Sequence, residues 1–400
     1  MPQPRGVGLS LDPASVLPDE LIDRIRARAP GYDERNEFFH EDFHELVEAG
    51  YLKAFVAQAA GGLGASLADV VRLQRRLAAA APATALGVNM HLVWTGVARV
   101  FEARGDASLD FVLHEAAAGE VFSFGISEAG NDSVLFDSVT AAEPQPGGGV
   151  RFTGTKVFTS LAPVWTRMGT FGKDSTGQEP QLVYGFIRRD EPGWRHLDDW
   201  DTLGMRASQS CTTLLEGALA PEERIVRRLP VGPNPDLLIF GIFAVFETLL
   251  AAVYTGIAER ALALGVEAAH RRKSLKNGGR PYAQDPDIRW QLADAAMAVD
   301  GVLPQLERVA EDVDGLVDRG AAWFPALSGL KHRATETARA VVDVAMRVGG
   351  GGGYFRSSEL QRLYRDVVAG QYHPSDPESA HATVANALLG PLEDPAVGRN

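Results

Sequence analysis

The sequence predicts a mainly α-helical protein with a β domain inserted between two helical domains. In the first and last parts of the chain, apolar residues recur three and four positions apart with charged residues between them, a spacing typical of amphipathic helices. In between, short runs rich in β-branched and aromatic residues alternate with turn clusters such as EPQPGGG at 143–149. This order predicts a helical domain over 1–118, a β domain over 119–228 and a helical bundle over 229–400.

Composition and charge are those of a globular enzyme and argue against nucleic acid as a partner. Of the 400 residues, 45% are hydrophobic and 23% are charged, which is usual for soluble proteins. A chain of this length exceeds a single hydrophobic core, so two or three domains are expected. The net charge of −13 is spread along the chain, whereas binding to a phosphate backbone needs a basic surface.

Three features predict a cytoplasmic protein with no membrane partner. The first residues, MPQPRGVGLSLDPASV, lack the apolar core of a secretory signal. The longest apolar run is LLIFGIFAVF, Leu237–Phe246, which is shorter than a membrane span and suits a buried helix. Cys211 is the single cysteine, so no intrachain disulfide can form and a reducing compartment is expected.

The pattern His40-Glu41-x-x-His44 matches a zinc-binding motif, in which both histidines share one helix face and the glutamate acts as a base. Such sites need a third protein ligand, but residues 49–68 contain no Asp, Glu, His or Cys. The sequence therefore favours a solvent-exposed helix face over a metal site. The residues expected to face the core from this helix are Phe43, Leu46 and Val47.

The glycine run VGGGGGYF at 348–355 does not match a nucleotide-binding motif, because it follows a helical segment and contains no G-x-G-x-x-G or GK[ST] pattern. Glycines still allow the backbone to approach a pyrophosphate closely. Both a ligand-binding loop and a flexible connection between helices remain open for this run.

Several short motifs are specific only when they are taken together. SEAGNDS (127–133), FTGTKVFTS (152–160) and LGMRAS (203–208) place small polar residues at strand ends, where they can bind a planar heteroaromatic ligand, and Phe158 can supply a face for it. The last part of the chain carries TGIAERAL, HRRKSL, QLAD, GGGGY and RLYRD in that order. Over nearly its whole length, the chain resembles the acyl-CoA dehydrogenase superfamily of flavoproteins.

This resemblance implies a central β-barrel, a C-terminal four-helix bundle and an FAD bound between them, in a homodimer or homotetramer. The hydroxyl of Ser127 would contact the flavin, and Ser160 would form a hydrogen bond near N5 of the ring. Arg272 would reach the pyrophosphate of the neighbouring subunit's FAD, since a guanidinium group matches phosphate oxygens. The loop residues implied to lie along the same cofactor are Gly350, Gly351 and Gly353.

The position of the family's usual catalytic glutamate holds no acid here. Dehydrogenation of an acyl-CoA needs a base for the α-proton while the flavin takes the hydride. Counting eight residues from Asp366, or sixteen back from Gly390, leads to Pro374. A smaller group of dehydrogenases keeps the glutamate ten residues before the glycine of the first bundle helix, which is Phe246 here, beside Glu247. Glu247 and His373 are the candidate substitutes.

His373 is similar to a residue of the superfamily's monooxygenase branch, which uses reduced flavin and O₂ and often has a serine near N5, as at Ser160. A histidine with the ordinary pKa of about 6.5 can exchange a proton at neutral pH. The alternative is that His373 has no chemical role and only ends a helix before a proline.

The sequence thus leaves two main interpretations. The first is an FAD-dependent dehydrogenase that oxidises an acyl-CoA or similar acyl thioester at a CH–CH bond, with an electron-transfer partner. The alternative is a two-component monooxygenase that uses His373 and Ser160, takes reduced flavin (FMN is possible) from a flavin reductase, and acts on a small molecule. Further alternatives are a non-catalytic flavin-binding scaffold and a zinc protease.

Overall fold

The structure is a computed structural model in which residues 11–276 and 278–392 are described. The expectation about a secretory signal rests largely on residues 1–10, which lie outside the described residues. Helices, then strands, then helices follow one another along the chain. The predicted fold class is therefore confirmed: N-terminal helices, a central β-sheet domain and a C-terminal helical domain.

The N-terminal helices surround one helix that is buried on nearly all sides. The helices are α1 (Pro13–Val16), α2 (Asp19–Arg35), α3 (His40–Glu48), α4 (Leu67–Ala78), α5 (Pro82–Ala103) and α6 (Asp110–Ala117). The buried helix is α5, which is mostly apolar and is buried on every face from Thr84 to Ala98. Helix α4 begins at a capping box, in which Ser66 and Asp69 each accept a hydrogen bond from the other's backbone N–H.

The central domain is one eight-stranded sheet with the hydrogen-bonded order β6-β7-β3-β2-β4-β5-β8, and β1 pairs with β4 beside this path. Its strands are β1 (Phe122–Gly125), β2 (Ala141–Pro144), β3 (Val150–Lys156), β4 (Arg167–Asp174), β5 (Gln181–Arg188), β6 (Trp194–His196), β7 (Thr213–Ala220) and β8 (Ile225–Pro230). As the EPQPGGG cluster predicts, β2 and β3 form an antiparallel hairpin around it. The strand β1 runs parallel to β4 and packs against α5 of the N-terminal helices.

The C-terminal helices pack around a long central helix. They are α7 (Leu237–Arg271), α8 (Pro286–Asp314), α9 (Trp323–Gly349), α10 (Glu359–Val368) and α11 (Pro377–Leu389), and the small hairpin of β9 (Lys273–Ser274) and β10 (Arg280–Pro281) joins α7 to α8. Helix α7 contacts α8 and α9 on one side and α4 and α5 on the other. It is the one described helix that is long and apolar enough to cross a membrane, yet 83% of its most apolar window is buried inside the protein.

Helix α3 tests which of its residues face the core, and the positions where the type of secondary structure changes can be compared with the predicted domain bounds. Phe43 and Leu46 of α3 are buried as expected, but Val47 is 43% exposed, because it lies one position past the buried face of the helix. Secondary structure changes type after Ala117 and again after Pro230, close to the predicted junctions. The division into three domains at those junctions stays a prediction.

Candidate functional site

A pocket with an interior of about 280 Å³ lies where the three parts of the chain meet. Helices α5 and α7 form an apolar wall through Leu86, Met90, Phe246 and Leu250. The opposite wall comes from the ends of strands and the loops that follow them, and the residues after α10 close one side. Apolar pockets with a few convergent polar groups are typical ligand sites.

Hydroxyl groups from two loops converge on the β-domain side of the pocket. The Oγ atoms of Ser160 and Ser210 lie 2.7 Å apart, and those of Ser210 and Ser208 lie 2.8 Å apart. The two non-glycine residues Phe158 and Leu161 beside Ser160 have positive φ angles of 57° and 63°. Such backbone strain at a functional site persists only where the surroundings fix it. Ser160 is therefore held in one place at the pocket wall, next to the half-exposed ring of Phe158.

His373 faces the same pocket from the opposite side. Its Nδ1 atom lies 3.1 Å from the hydroxyl oxygen of Tyr254 on α7. Burial, and to a smaller extent the charge of Lys331, lowers the pKa of His373 to about 3. The imidazole is therefore neutral at physiological pH, which differs from the expectation of an ordinary pKa and makes it a hydrogen-bonding group rather than an effective base.

Glu247 lies behind the loop that carries His373 and does not line this pocket. Its neighbour Phe246 does, and one residue of helix turns the Glu247 side chain about 100° away. The carboxylate accepts hydrogen bonds from the backbone N–H and the hydroxyl of Ser375, at 3.2 and 2.8 Å. Burial raises the pKa of Glu247, and the buried ammonium group of Lys331 opposes that rise. Glu247 thus reaches the loop from the protein interior.

The Arg-Asp pair before this loop joins two of the sequence motifs. Arg365 donates to the carboxylate of Asp33 on α2, at 2.9 Å for Nη1 and Oδ1, and also to the carbonyl of Leu203. Asp366 accepts a 2.6 Å hydrogen bond from the backbone N–H of Met205. The LGMRAS loop, which lines the pocket, is therefore fixed by the residues immediately before His373.

Arg272 and the glycine run form a second cluster, apart from the pocket lining. The Arg272 guanidinium group donates to the carbonyl of Val348 at the end of α9 and lies 4.6 Å from the ring centre of Tyr282. Gly350 has a φ of 63° and packs directly against Arg272, while Gly351 has open space where a Cβ would stand. Gly353 is buried. The cluster brings together the predicted pyrophosphate residues, but within one chain it does not meet Ser127, Ser160 or His373.

Ser127 follows β1 and lines the pocket, and the residue after it is structural. Glu128 is buried and forms an ion pair with Lys156, whose Nζ lies 2.7 Å from Oε1. It also accepts hydrogen bonds from the loop residues Ser138, Val139 and Thr140. The SEAGNDS motif therefore combines a pocket residue with an ion pair that holds the adjoining loop.

The zinc-like pattern and the cysteine lie elsewhere. His40 and His44 are exposed on α3, whereas Asp42 between them is buried and bonded to Arg28. In the described part of the chain, no group of three or more His, Cys, Asp or Glu side chains is arranged to hold a metal ion. Cys211 is buried, and burial raises the pKa of its thiol to about 11, as expected of a packing residue.

Sequence reasoning missed the residues that support the site. Tyr254 and Lys331 both lie in segments that read as ordinary helix. A polar residue in an otherwise apolar helix face was the available signal for Tyr254 and Lys331, since buried polar groups need partners. No spacing in the sequence links them to His373, which is 119 residues from Tyr254 and 42 from Lys331.

The pocket suits the ring system of a flavin. Hydroxyl groups at Ser127, Ser160 and Ser210 can bond heteroatoms of a planar ring, while the aromatic and aliphatic side chains around them can pack on its faces. The ionisable residues among the lining are Arg365, Tyr372 and His373, and none of the lining residues is Asp or Glu. The guanidinium group of Arg365 already forms an ion pair with the carboxylate of Asp33.

Comparison with known proteins identifies the family. Residues 19–101 match the family described as acyl-CoA dehydrogenase, N-terminal domain, and residues 248–375 match acyl-CoA dehydrogenase, C-terminal domain. The L-evernosamine nitrososynthase of a Micromonospora species is 31% identical over 365 residues, covering 88% of this chain and 84% of the relative. The dibenzothiophene monooxygenase of Rhodococcus erythropolis is 25% identical over 393 residues, covering 92% and 90% of the two chains.

A solved structure shows the same fold in a protein with a bound flavin. KijD3, in complex with FMN and a dTDP-linked amino sugar, superposes with a TM-score of 0.81 at 27% identity. The match covers 97% of this chain and 96% of KijD3.

Proposed function

The chain belongs to the acyl-CoA dehydrogenase superfamily and is a flavin-dependent oxidoreductase, and we propose that it is a monooxygenase supplied with reduced flavin by a separate reductase. The observation that carries this proposal is the lack of an acidic side chain among the pocket-lining residues, with Pro374 in the place of the usual glutamate. Acyl-CoA dehydrogenation needs a positioned base for the α-proton. A neutral histidine with a pKa near 3 does not replace it.

The residues of the alternative interpretation support the proposal. Ser160 and His373, which lie far apart in sequence, line one pocket from opposite sides. The relatives named above are a nitrososynthase and a monooxygenase. The pocket contains no residue that supports oxidation of an acyl thioester in a comparable way. A non-catalytic flavin-binding scaffold would not explain why His373 is paired with Tyr254 at the pocket.

A bound reduced flavin supplies the two electrons with which O₂ is split between product and water. The role of the chain's own residues is to bind the flavin and the substrate and to orient them. The hydroxyls of Ser127 and Ser160 hold the ring edge, and the apolar side chains of α5 and α7 keep water out of the pocket. His373 is fixed by Tyr254 as a neutral hydrogen-bonding group at the opposite wall.

We propose FMN as the flavin and a small uncharged molecule with an oxidisable nitrogen or sulfur atom as the substrate. FMN is the flavin in the KijD3 complex, and nitrogen and sulfur compounds are named for the relatives. An uncharged substrate is favoured because the pocket lining offers it no uncommitted cation, since Arg365 is paired with Asp33. We further propose a cytoplasmic homodimer or homotetramer, in which the Arg272 cluster lies beyond the end of the neighbouring subunit's FMN, where the pyrophosphate of an FAD would extend.

The test compares two reactions of the purified protein. With a panel of acyl-CoAs under anaerobic conditions, the bound oxidised flavin should keep its colour. With a flavin reductase, NADH, FMN and O₂, a panel of amines and aromatic sulfides should yield an oxygenated product that depends on the protein. Bleaching of the flavin by an acyl-CoA, without product in the second reaction, would establish a dehydrogenase and overturn the proposal.

A further inference from the structure

We propose that Lys331 is a positioning residue: its ammonium group fixes the loop 370–375 that presents His373 to the pocket. This role rests on the proposed function, because it matters to the reaction only if His373 acts in the pocket. Lys331 itself does not line the pocket. It lies on α9, behind the loop.

All three hydrogen-bond donors of Lys331 are used on this one loop. The Nζ atom donates to the carbonyl oxygens of Gly370, His373 and Ser375, at 2.8, 2.9 and 2.8 Å. An ammonium group has three donors and no acceptor, so its bonding capacity is filled by the loop backbone. The lysine is 1% exposed, so water does not compete for these bonds.

A second clamp holds the end of the same loop. Glu247 of α7 accepts two hydrogen bonds from Ser375, whose hydroxyl also lies 2.9 Å from that of Ser328 on α9. The acidic groups that face the Lys331 charge are Glu247, Asp376 and Glu336. A buried ammonium group is tolerated only when it is hydrogen-bonded and paired, and the loop and Glu247 provide both.

The loop depends on these side chains because it has little regular structure of its own. A 3₁₀ turn ends at Gln371 and α11 begins at Pro377, and residues 373–375 between them make no helical hydrogen bonds. At Gly370, a Cβ would lie 2.5 Å from Thr335 and 2.8 Å from the ring of Tyr254, so only glycine lets the chain come this close. Lys331 from behind and Tyr254 from the side together fix where the imidazole of His373 stands.

The competing explanation is that Lys331 only stabilises the helical bundle. The two roles differ in what a substitution changes. A purely structural residue alters the stability of the whole domain and leaves His373 in its native environment. A positioning residue alters the imidazole itself, and its effect on the reaction passes through His373.

The experiment uses the Lys331→Met variant of the full chain, which keeps the length of the side chain and removes its three donors. In protein labelled with ¹⁵N-histidine and free of flavin, the His373 signal is assigned from its loss in His373→Ala. We expect the separate nitrogen shifts of one fixed tautomer in the unsubstituted protein, and partly averaged shifts in Lys331→Met. Leu306→Ala, a buried position on α8, is the control that should lower the melting temperature and leave the His373 signal unchanged.

The reaction supplies an independent measurement. The amount of product formed per reduced FMN consumed should fall in Lys331→Met about as far as in His373→Ala, and the double variant should be no worse than His373→Ala alone. Unchanged His373 shifts, or additive losses in the double variant, would overturn the proposal. If Lys331→Met does not fold, Lys331→Gln, a shorter side chain with two donors in place of three, replaces it and must shift the His373 signal in the same way; an unshifted signal again counts against the proposal. Absence of any oxygenation would defeat the proposed function alone, since the nitrogen shifts test the positioning without it.

Discussion

The hydroxyl oxygen of Tyr254 lies 3.1 Å from Nδ1 of His373 and connects the central helix α7 with the loop before α11. Tyr254 is fully buried, and this is the one hydrogen bond that its hydroxyl makes among the described residues. If the imidazole donated here, the tyrosine proton would be left buried without an acceptor, which is costly. The hydroxyl therefore donates to Nδ1, and Nε2 of the neutral imidazole carries the proton towards the pocket.

Removal of the imidazole should abolish oxygenation without removing the flavin. A preorganised hydrogen-bond donor in an active site contributes typically about 100-fold or more to a rate. His373→Ala should therefore reduce product formation by at least that factor, while FMN affinity, measured by fluorescence quenching, stays within twofold. Tyr254→Phe loses only the bond that orients the ring, worth about 0.5–1.5 kcal/mol, or roughly a 2- to 10-fold loss of rate. Retention of full activity by His373→Ala would exclude the residue from the mechanism.

The pH profile of the reaction should lack a histidine titration near neutral pH. Burial and Lys331 lower the pKa of His373 to about 3, so the imidazole gains a proton only in acid well below the working range. The ratio kcat/KM should not fall as the pH passes from 8 to about 6 through the ordinary histidine pKa. A steep loss centred near pH 6.5 that disappears in His373→Ala would contradict this expectation.

The ordered motifs predicted the fold and the two faces of the pocket, but they could not predict what supports His373. The spacing from Asp366 identified Pro374 and His373, because Asp366 binds Met205 and so fixes the register of the loop. Ser160 was predicted by a motif that ends a strand. In contrast, Lys331 acts on backbone carbonyls, which every residue has, so no partner residue in the sequence signals its role.

The position of Glu247 shows a second limit of sequence reasoning. The sequence places it one residue from Phe246, and a rotation of the helix by about 100° would have turned it into the pocket. Only packing decides that rotation: Phe246 stacks on Phe124 at 5.4 Å between ring centres, which directs Glu247 to Ser375.

Breaking the buried pair of Glu128 and Lys156 should destabilise the β domain and its loop beside Ser127. Burial lowers the pKa of Lys156 to about 8, while the Lys156 charge and several hydrogen bonds outweigh burial and lower that of Glu128 to about 2. Removing one partner of such a pair costs about 3–5 kcal/mol, because the other charge stays buried. Glu128→Gln should show this loss in urea unfolding at pH 7, and Glu128→Gln combined with Lys156→Met should recover part of it.

The Glu128–Lys156 pair should also make the stability of the protein fall in acid. The folded-state pKa of Glu128 lies below its ordinary value of 4.5, so its contribution is full above that pH and is lost as the pH falls towards about 2. The free energy of unfolding of the unsubstituted protein should therefore drop over this range more steeply than that of Glu128→Gln. Parallel curves for the two proteins would show that the pair does not contribute.

A methyl group at Gly204 should distort the pocket wall. A Cβ there would lie 2.2 Å from the carbonyl oxygen of Arg365, a backbone atom that cannot move aside. Overpacking of this kind costs about 1–3 kcal/mol, and the loop concerned lines the pocket. Gly204→Ala should lower both the melting temperature and the FMN affinity. Gly301→Ala is the matched control, because it stands in α8 with open space around it and should be neutral or slightly stabilising. Equal behaviour of the two variants would refute the steric explanation.

Arg272 should distinguish the two possible flavins. FMN ends at a single phosphate, whereas FAD continues into a pyrophosphate and adenosine, the part that the Arg272 cluster is expected to hold. Hydrogen bonds to a charged partner are worth about 1.5–3 kcal/mol, so Arg272→Ala should weaken FAD binding roughly tenfold or more and leave FMN binding within twofold. Titration of the apoprotein with each flavin measures both affinities.

Arg280→Ala is the control, because Arg280 is an exposed arginine of the hairpin that follows Arg272, and its substitution should change neither affinity. Equal weakening of both flavins by Arg272→Ala would contradict this division, because the arginine would then act on the part that both flavins share, or indirectly through the carbonyl of Val348 at the end of α9.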